Sequence, residues 1–399
     1  MSRRSPSRAD HAHRGARGGV AQRAFYKMIR DNRGPVRAAD GEAGAGQRVA
    51  ALALVGAASV MVIGVLWDIS WDASIGVDSF WSPPHMAVNF GAAAAGAIAA
   101  FMVWSASRAR VGAAVGVGPS RVPFDAALVL WGATAMAGWG VLDQWWAEAY
   151  GIYAERWSPP EVLFTAGAAA ILAGAVVGAS RAGAVAVYWS IGLALVIAVA
   201  ATTQFNLPNL QRTATFHRNA CAVLPLLLAW AAGYRRRGFG ATMAGSSYVL
   251  LVCAMVWIFP RFAAQPLIGP IYEPVDVLIP PRFPLLLFAP ALAIDAIAAR
   301  VRRDTVAALA LGVAFVAVFV AVQWAFSAFL LSPASDSWFF AGGGRHWPFY
   351  VEIGEERSQF WGAVEDPLGV SALLACGVLA VSGAWVGLIL GRWTAELRR

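Results

Sequence analysis

The chain alternates long apolar stretches with short polar connectors. Ten stretches reach or approach the length of about 17–25 residues that an α-helix needs to cross a bilayer. They lie at residues 48–67, 85–105, 124–146, 161–180, 183–203, 219–234, 240–259, 284–300, 305–330 and 369–391. The pattern predicts an all-α, polytopic integral membrane helix bundle of about ten transmembrane helices. The sixth and eighth stretches are shorter than most, so the number of spans is defined only to within one or two.

The composition excludes an ordinary soluble domain. Hydrophobic residues make up 59% of the chain, charged residues 14%, and the mean hydropathy is +0.58. So much apolar surface needs lipid, or the apolar faces of neighbouring helices, to cover it. We therefore expect the lipid bilayer to be the main partner of this protein, with other membrane subunits as a further possibility.

Positive charges are distributed unevenly along the chain. If the N-terminus is cytoplasmic, 24 of the 31 Lys and Arg residues fall on the cytoplasmic side. This is the positive-inside bias, and it predicts a multi-pass protein of the bacterial inner membrane with both termini in the cytoplasm. The same bias explains the net charge of +8 without nucleic acid as a partner. Residues 1–47 are polar and basic and predict a disordered cytoplasmic tail, followed by one transmembrane domain over 48–399.

A polar connector between predicted helices occurs twice in the chain. The first copy begins at Asp68 and ends in Trp-Ser-Pro-Pro-His at 81–85, and the second begins at Asp143 and ends in Trp-Ser-Pro-Pro-Glu at 157–161. Because each copy joins two apolar stretches, predicted helices 1–2 and 3–4 form a duplicated helix-loop-helix unit. Repetition of a polar segment at one membrane face predicts a site there.

The carboxylates of these connectors are placed where a helix disfavours them. Asp68 and Asp72 are four residues apart and share one face if the first helix extends that far. They then lie near a helix C-terminus, where the macrodipole opposes negative charge, and Asp143 has the equivalent place on the third helix. Such carboxylates need a cation, a basic partner or a raised pKa. The simpler alternative is solvation, with Asp72 beyond the helix end.

The residues that follow Pro-Pro differ between the two copies. His85 falls in the first turn of a helix, where imidazolium is disfavoured and the neutral, metal-binding form is favoured. Glu161 instead completes a Ser-x-x-Glu capping box with Ser158, which is a purely structural interpretation. The second copy also has Ala147 where the first has Asp72. This asymmetry fits one functional copy and one structural copy, or two structural copies.

Two further histidines map to the same face as His85. They are His217 and His346, and the second lies in a long connector at 331–368 that we expect to cover the site. Imidazoles with carboxylates suit copper, iron or zinc, of which we favour copper or iron. The cysteines lie within predicted helices and offer neither a disulfide nor a thiolate cluster. The candidate metal ligands are Asp68, Asp72, His85, Asp143, His217 and His346, although each histidine alone is also consistent with an ordinary interfacial position.

Three functions remain open at this point. The first is a metal-dependent membrane oxidoreductase, or a metal-binding subunit of one, with its site facing the periplasm. The second is a small-solute transporter or permease, which usually carries ionisable residues or broken helices near the midplane. Charged residues are nearly absent from the predicted helix interiors, with Asp295 as the main exception. The third is a non-catalytic subunit of a larger membrane complex.

Overall fold

The computed structural model describes most of the chain beyond the predicted tail. Described are residues 42–76, 79–109, 114–117, 120–151, 157–203, 210–265, 276–281, 283–330, 332, 334 and 366–397. The predictions for residues 1–41, for His346 and for most of the 331–368 connector lie outside these ranges.

The described residues form ten α-helices of 13 residues or more. A two-stranded antiparallel hairpin, β1 (Ala114–Val117) and β2 (Ser120–Pro123), joins the second and third of them. The helices are α1 (Glu42–Ser74), α2 (Pro83–Ala109), α3 (Phe124–Tyr150), α4 (Pro159–Ala179), α5 (Ala184–Thr202), α6 (Ala214–Tyr234), α7 (Gly240–Ile258), α8 (Phe288–Arg300), α9 (Asp304–Leu330) and α10 (Val370–Glu396). The helix α1 begins inside the segment assigned to the tail from sequence.

Eight of these helices are long and apolar enough to cross a membrane. The two that do not qualify are α6 and α8, which correspond to the short sixth and eighth apolar stretches. Helix α6 carries the polar run His217-Arg218-Asn219 near its start. The 13 residues of α8 span only about 20 Å against a hydrocarbon core of about 30 Å. The prediction of an all-α membrane helix bundle is confirmed. The number of ten spans and the duplication remain predictions.

Successive helices run in opposite directions, which gives the bundle two distinct ends. We call the end with the α1–α2 and α3–α4 connectors the connector end. The other end carries the β-hairpin and the turns after α4, α6 and α8, and we call it the arginine end. Asp295, the charge predicted inside a helix, lies near the arginine end and is buried there. Its carboxylate accepts hydrogen bonds from the Ala241 and Thr242 amides at the start of α7, 3.1 and 2.7 Å away, so it caps that helix.

Glycines bring α1 and α2 into close contact. A Cβ atom placed on Gly64 of α1 would lie 2.8 Å from the Val88 amide nitrogen of α2, and one on Gly91 would lie 2.5 Å from the Met61 nitrogen. Small residues of this kind let helix backbones approach in a membrane, where packing replaces the hydrophobic effect. The α1–α2 hairpin is therefore a tight unit, with Gly64 one turn before Asp68.

An extended segment over residues 276–281 is buried beside the end of α1. The Ser70 hydroxyl donates to the Ile279 carbonyl, and the Ile279 amide donates to the Ser74 hydroxyl at 2.6 Å. These two buried serines satisfy both backbone groups of a residue that lies in neither helix nor sheet, as burial in a membrane protein requires. The segment therefore holds the last turns of α1 from the side opposite to its aspartates.

Candidate cation site at the connector end

A cavity of about 730 Å³ opens between the two connectors. Its lining comes from the ends of α1 and α3, the beginnings of α2 and α4, and the last turns of α5. The polar lining side chains are Asp68, Asp72, Ser79, His85, Asp143, Gln144, Trp146, Glu148, Glu161 and Thr165. The two connectors thus face one shared cavity, and four of the six predicted metal ligands lie in its lining.

The centre of the site is a contact between His85 and Asp68. The Nε2 atom of His85 lies 3.3 Å from Oδ1 of Asp68, and the Nδ1 atom lies 3.0 Å from the Ser79 carbonyl oxygen. Both side chains are largely shielded, with 14% of His85 and 26% of Asp68 exposed. Asp68 lies near a helix C-terminus and so needs a basic partner. That partner is His85, at the start of the next helix.

The Ser79 carbonyl determines what His85 presents to Asp68. A carbonyl oxygen only accepts hydrogen bonds, so Nδ1 must carry a proton to bond it. In the neutral ring, Nε2 then has a lone pair and no proton, and this lone pair points at a carboxylate. Two electron-pair donors at 3.3 Å attract one another only if a cation lies between them.

Aromatic rings hold the imidazole in this orientation. The Trp139 ring lies edge-on to His85 with centroids 5.5 Å apart, and Phe164 packs on Trp139 at 4.8 Å. Trp139 is nearly buried, with 7% of its surface exposed. Because the rings come from α3 and α4, the second helix pair supports the histidine that the first pair supplies.

The remaining carboxylates surround this pair without completing a metal site. The helix α1 extends to Ser74, so Asp72 lies on the helix, one turn after Asp68 on the same face, and not beyond the helix end. Its side chain is exposed, as the alternative of simple solvation expects. Asp143 projects into the same cavity from α3. Within the described ranges, however, no three His, Cys, Asp or Glu side chains are close enough together to hold a metal ion.

The second connector resembles the first in backbone but not in chemistry. Each has a glycine with positive φ just after its first helix, 100° at Gly76 and 97° at Gly151, and each resumes at a Pro-Pro pair. Ser158, however, makes no side-chain capping bond to the start of α4, so the serine half of the predicted capping box is absent. Glu161 lines the cavity instead, and this purely structural interpretation loses its main support.

His217 lies in a different place from the other candidates. Its side chain is fully buried in the first turn of α6, where Phe216 and Phe319 pack edge-on to the ring with centroids 5.1 and 5.7 Å away. It does not appear in the cavity lining. His346 lies outside the described residues. The structure therefore brings Asp68, Asp72, His85 and Asp143 together and places His217 in an aromatic part of the core.

Sequence reasoning missed several contributors to this site. Ser79 acts through its backbone carbonyl, which leaves no signature in a side-chain pattern. Gln144 donates to Glu148 at 2.8 Å, and the spacing of four residues within α3 is the signal that could have identified this pair. The lining from α5, which includes Ile197, Ala200 and Ala201, is apolar and carries no signal of function.

The chain is not assigned to a family. Comparison with models of protein families, with curated proteins and with solved structures gives no match.

Proposed function

We propose that this integral membrane protein binds a transition-metal ion, copper or iron, in the cavity at its connector end, as a membrane oxidoreductase or a metal-binding subunit of one. The observation that carries the proposal is the contact between His85 and Asp68, with the far side of the imidazole held by the Ser79 carbonyl. Metal-binding histidines typically donate their second ring N–H to a carbonyl or a carboxylate, which fixes the tautomer and the ring orientation.

The distance between the two ligand atoms also suits a metal ion. Metal–nitrogen and metal–oxygen bonds of about 2.0–2.1 Å at a tetrahedral angle separate the ligand atoms by about 3.3–3.4 Å. The observed separation of Nε2 and Oδ1 is 3.3 Å. A metal ion would therefore fit between the two atoms with little movement of either side chain.

A third ligand would come from the carboxylates of the same lining. Asp72 is the first candidate because it lies one turn from Asp68 on the same face of α1, and Asp143 is the second. Since no three ligands are in place together within the described residues, we expect one of these side chains to rotate when the ion binds. The rest of the cavity would leave room for a small substrate beside the ion, where a metal activates oxygen or a substrate oxygen atom.

Elemental analysis of the detergent-purified protein tests this proposal. We expect one to two equivalents of copper or iron per chain, most of which is lost from His85→Ala and from Asp68→Asn. The matched control is Glu161→Gln, which changes the residue at the corresponding place in the second connector and should keep its metal. Full metal retention in His85→Ala, or wild-type protein that stays empty after incubation with copper and with iron, would overturn the assignment.

We propose transport of a small cationic solute as the second candidate function, because α8, with 13 residues, is too short to cross a membrane and follows a non-helical segment. The amides of Leu285 and Leu286, just before α8, donate to the Tyr248 hydroxyl and to Oε1 of Gln323 at 3.0 and 3.2 Å. Short or broken helices of this kind are typical of transporter binding sites. Uptake of a small organic cation into proteoliposomes, abolished by Asp68→Asn, would support this function. If metal-loaded protein shows no such uptake, metal binding remains the proposed function.

A further inference from the structure

A second charged cluster lies at the arginine end, on the opposite side of the bundle from the cavity. Asp304, the first residue of α9, pairs with Arg236 from the α6–α7 turn through one carboxylate oxygen and with Arg392 of α10 through the other. About a quarter of each side chain is exposed: 25% for Arg236, 24% for Asp304 and 27% for Arg392. One carboxylate therefore serves two guanidinium groups, and the cluster keeps a net positive charge.

Several donors of these two arginines have no acceptor within the described part of the chain. Arg236 uses Nη2 on Asp304 and Nη1 on the Arg302 carbonyl at 2.9 Å, but its Nε atom is shielded from solvent without a partner. Arg392 donates from Nη1 to Asp304, and both its Nε and its Nη2 atoms are shielded from solvent without a partner. Shielded donors on a charged group are costly unless an acceptor satisfies them.

The donors left over on Arg392 form the edge of a guanidinium that recognises oxyanions. Nε and Nη2 are parallel and coplanar, and this fork matches two oxygens of one phosphate or carboxylate. The exposed Arg235 and Arg237 lie on either side of Arg236, and the exposed Arg302 and Arg303 lie just before Asp304 in the chain. The positive electrostatic potential around the cluster therefore favours the binding of an anion.

The position of the cluster favours an anion that is part of a lipid. The ring of Trp393, the residue after Arg392, packs edge-on to Phe124 with centroids 5.1 Å apart, and aromatic residues at helix ends mark the level of the headgroups. Deeper along α9, Val306 and Leu309 are 49% and 57% exposed and face lipid in a membrane. An acyl chain can therefore cover this apolar face while its phosphate reaches the arginines.

We propose that the Arg236–Asp304–Arg392 cluster binds the phosphate of an anionic phospholipid, in the leaflet that the charge distribution predicts to be cytoplasmic. The phosphate accepts two hydrogen bonds from the Nε and Nη2 edge of Arg392, after the neighbouring side chains that shield these two atoms in the lipid-free protein move aside. Basic pockets between helices on the cytoplasmic side commonly recognise lipid headgroups in this way.

Native mass spectrometry of the full chain in detergent, with phosphatidylglycerol added, measures this binding. Arg392→Lys keeps a positive charge for Asp304 but removes the planar fork, and it should lower the occupancy of bound phosphatidylglycerol about tenfold. Arg300→Gln is the matched control, because Arg300 is exposed and its Nη1 donates to the Ala296 carbonyl of its own helix. Equal occupancy in wild type, Arg392→Lys and Arg300→Gln would overturn the proposal.

A thermal melt of the same proteins distinguishes a lipid from a free anion. Wild type should gain stability from phosphatidylglycerol nanodiscs relative to phosphatidylcholine nanodiscs, and Arg392→Lys should gain less. Because Arg392→Lys is compared with itself in the two lipids, a lower stability of the variant does not affect the result. Stabilisation by inorganic phosphate equal to that by phosphatidylglycerol would overturn the assignment to a lipid.

Discussion

The Gly64→Ala substitution tests whether helix packing determines the geometry of the candidate site. The new Cβ atom would lie 2.8 Å from the Val88 nitrogen and 2.9 Å from its Cγ2 atom, whereas ordinary contacts begin at 3.4 Å. The two helices must therefore separate by about 0.6 Å at this point. Gly64 lies one turn before Asp68, and Val88 lies one turn after His85, so the separation acts directly on the pair.

The expected effect is large at the site and moderate in stability. If the whole displacement reaches the pair, the separation of Nε2 and Oδ1 increases from 3.3 Å to about 3.9 Å, wider than the separation of about 3.3–3.4 Å that suits two ligands of one tetrahedral metal ion. We expect copper or iron to bind about 10–100-fold more weakly, as is usual when the support of a metal ligand is disturbed. Overpacking at the helix contact should cost about 1–3 kcal/mol of stability.

Competition titrations with a metal chelator measure the affinity, and a thermal melt measures the stability. The matched control is Gly56→Ala, two turns earlier on α1, where a Cβ atom meets nothing within 4 Å. Both variants gain similar helix propensity, so the difference between them isolates the contact with α2. Wild-type affinity in Gly64→Ala, or an equal loss in Gly56→Ala, would refute the link between this contact and the site.

Two further predictions concern ionisable groups. Asp125→Asn leaves Arg181 without its buried partner and should lower Tm by about 5 °C; an unchanged melting curve would show that the pair contributes nothing. Hydrogen bonds from the Thr215 hydroxyl and amide lower the pKa of Asp366, so its contribution is present above the ordinary carboxyl pKa and is lost as pH falls through the lowered value. Melts from about pH 6 to about pH 3 should show a smaller loss of stability in Asp366→Asn than in wild type, and identical pH profiles would oppose this role.

The sequence predicts the helices well because span length and hydropathy are local properties. The apolar stretch 183–203, for example, becomes Ala184–Thr202 in the structure. It also predicts that Asp68 and Asp72 share a face, since that follows from helical periodicity alone. It does not predict that the eighth stretch, 284–300, is helical only from Phe288. The residues before Phe288 are held by Tyr248 and Gln323, and both lie 37 residues away in sequence from their amide partners.

The candidate site follows the same division between local and distant information. Motif repetition identified the two connectors, but the pairing of His85 with Asp68 joins side chains of two different helices, α1 and α2. The location of His217 depends on Phe319, which reaches it from a distant part of the chain. His217, which does not line the cavity, therefore has surroundings that tertiary packing determines. The candidates that do line the cavity belong to the two repeated connectors.

The charge of the cavity indicates the charge of its ligand more directly than any single contact does. Five carboxylates line it, those of Asp68, Asp72, Asp143, Glu148 and Glu161, against one imidazole, and no Lys or Arg is part of this described lining. Carboxylates that line one cavity make its electrostatic potential negative, so the cavity attracts cations. An anionic substrate is disfavoured on electrostatic grounds. Both candidate functions share this requirement for a cation, and they differ in whether the cation stays, as a metal ion between His85 and Asp68, or passes through.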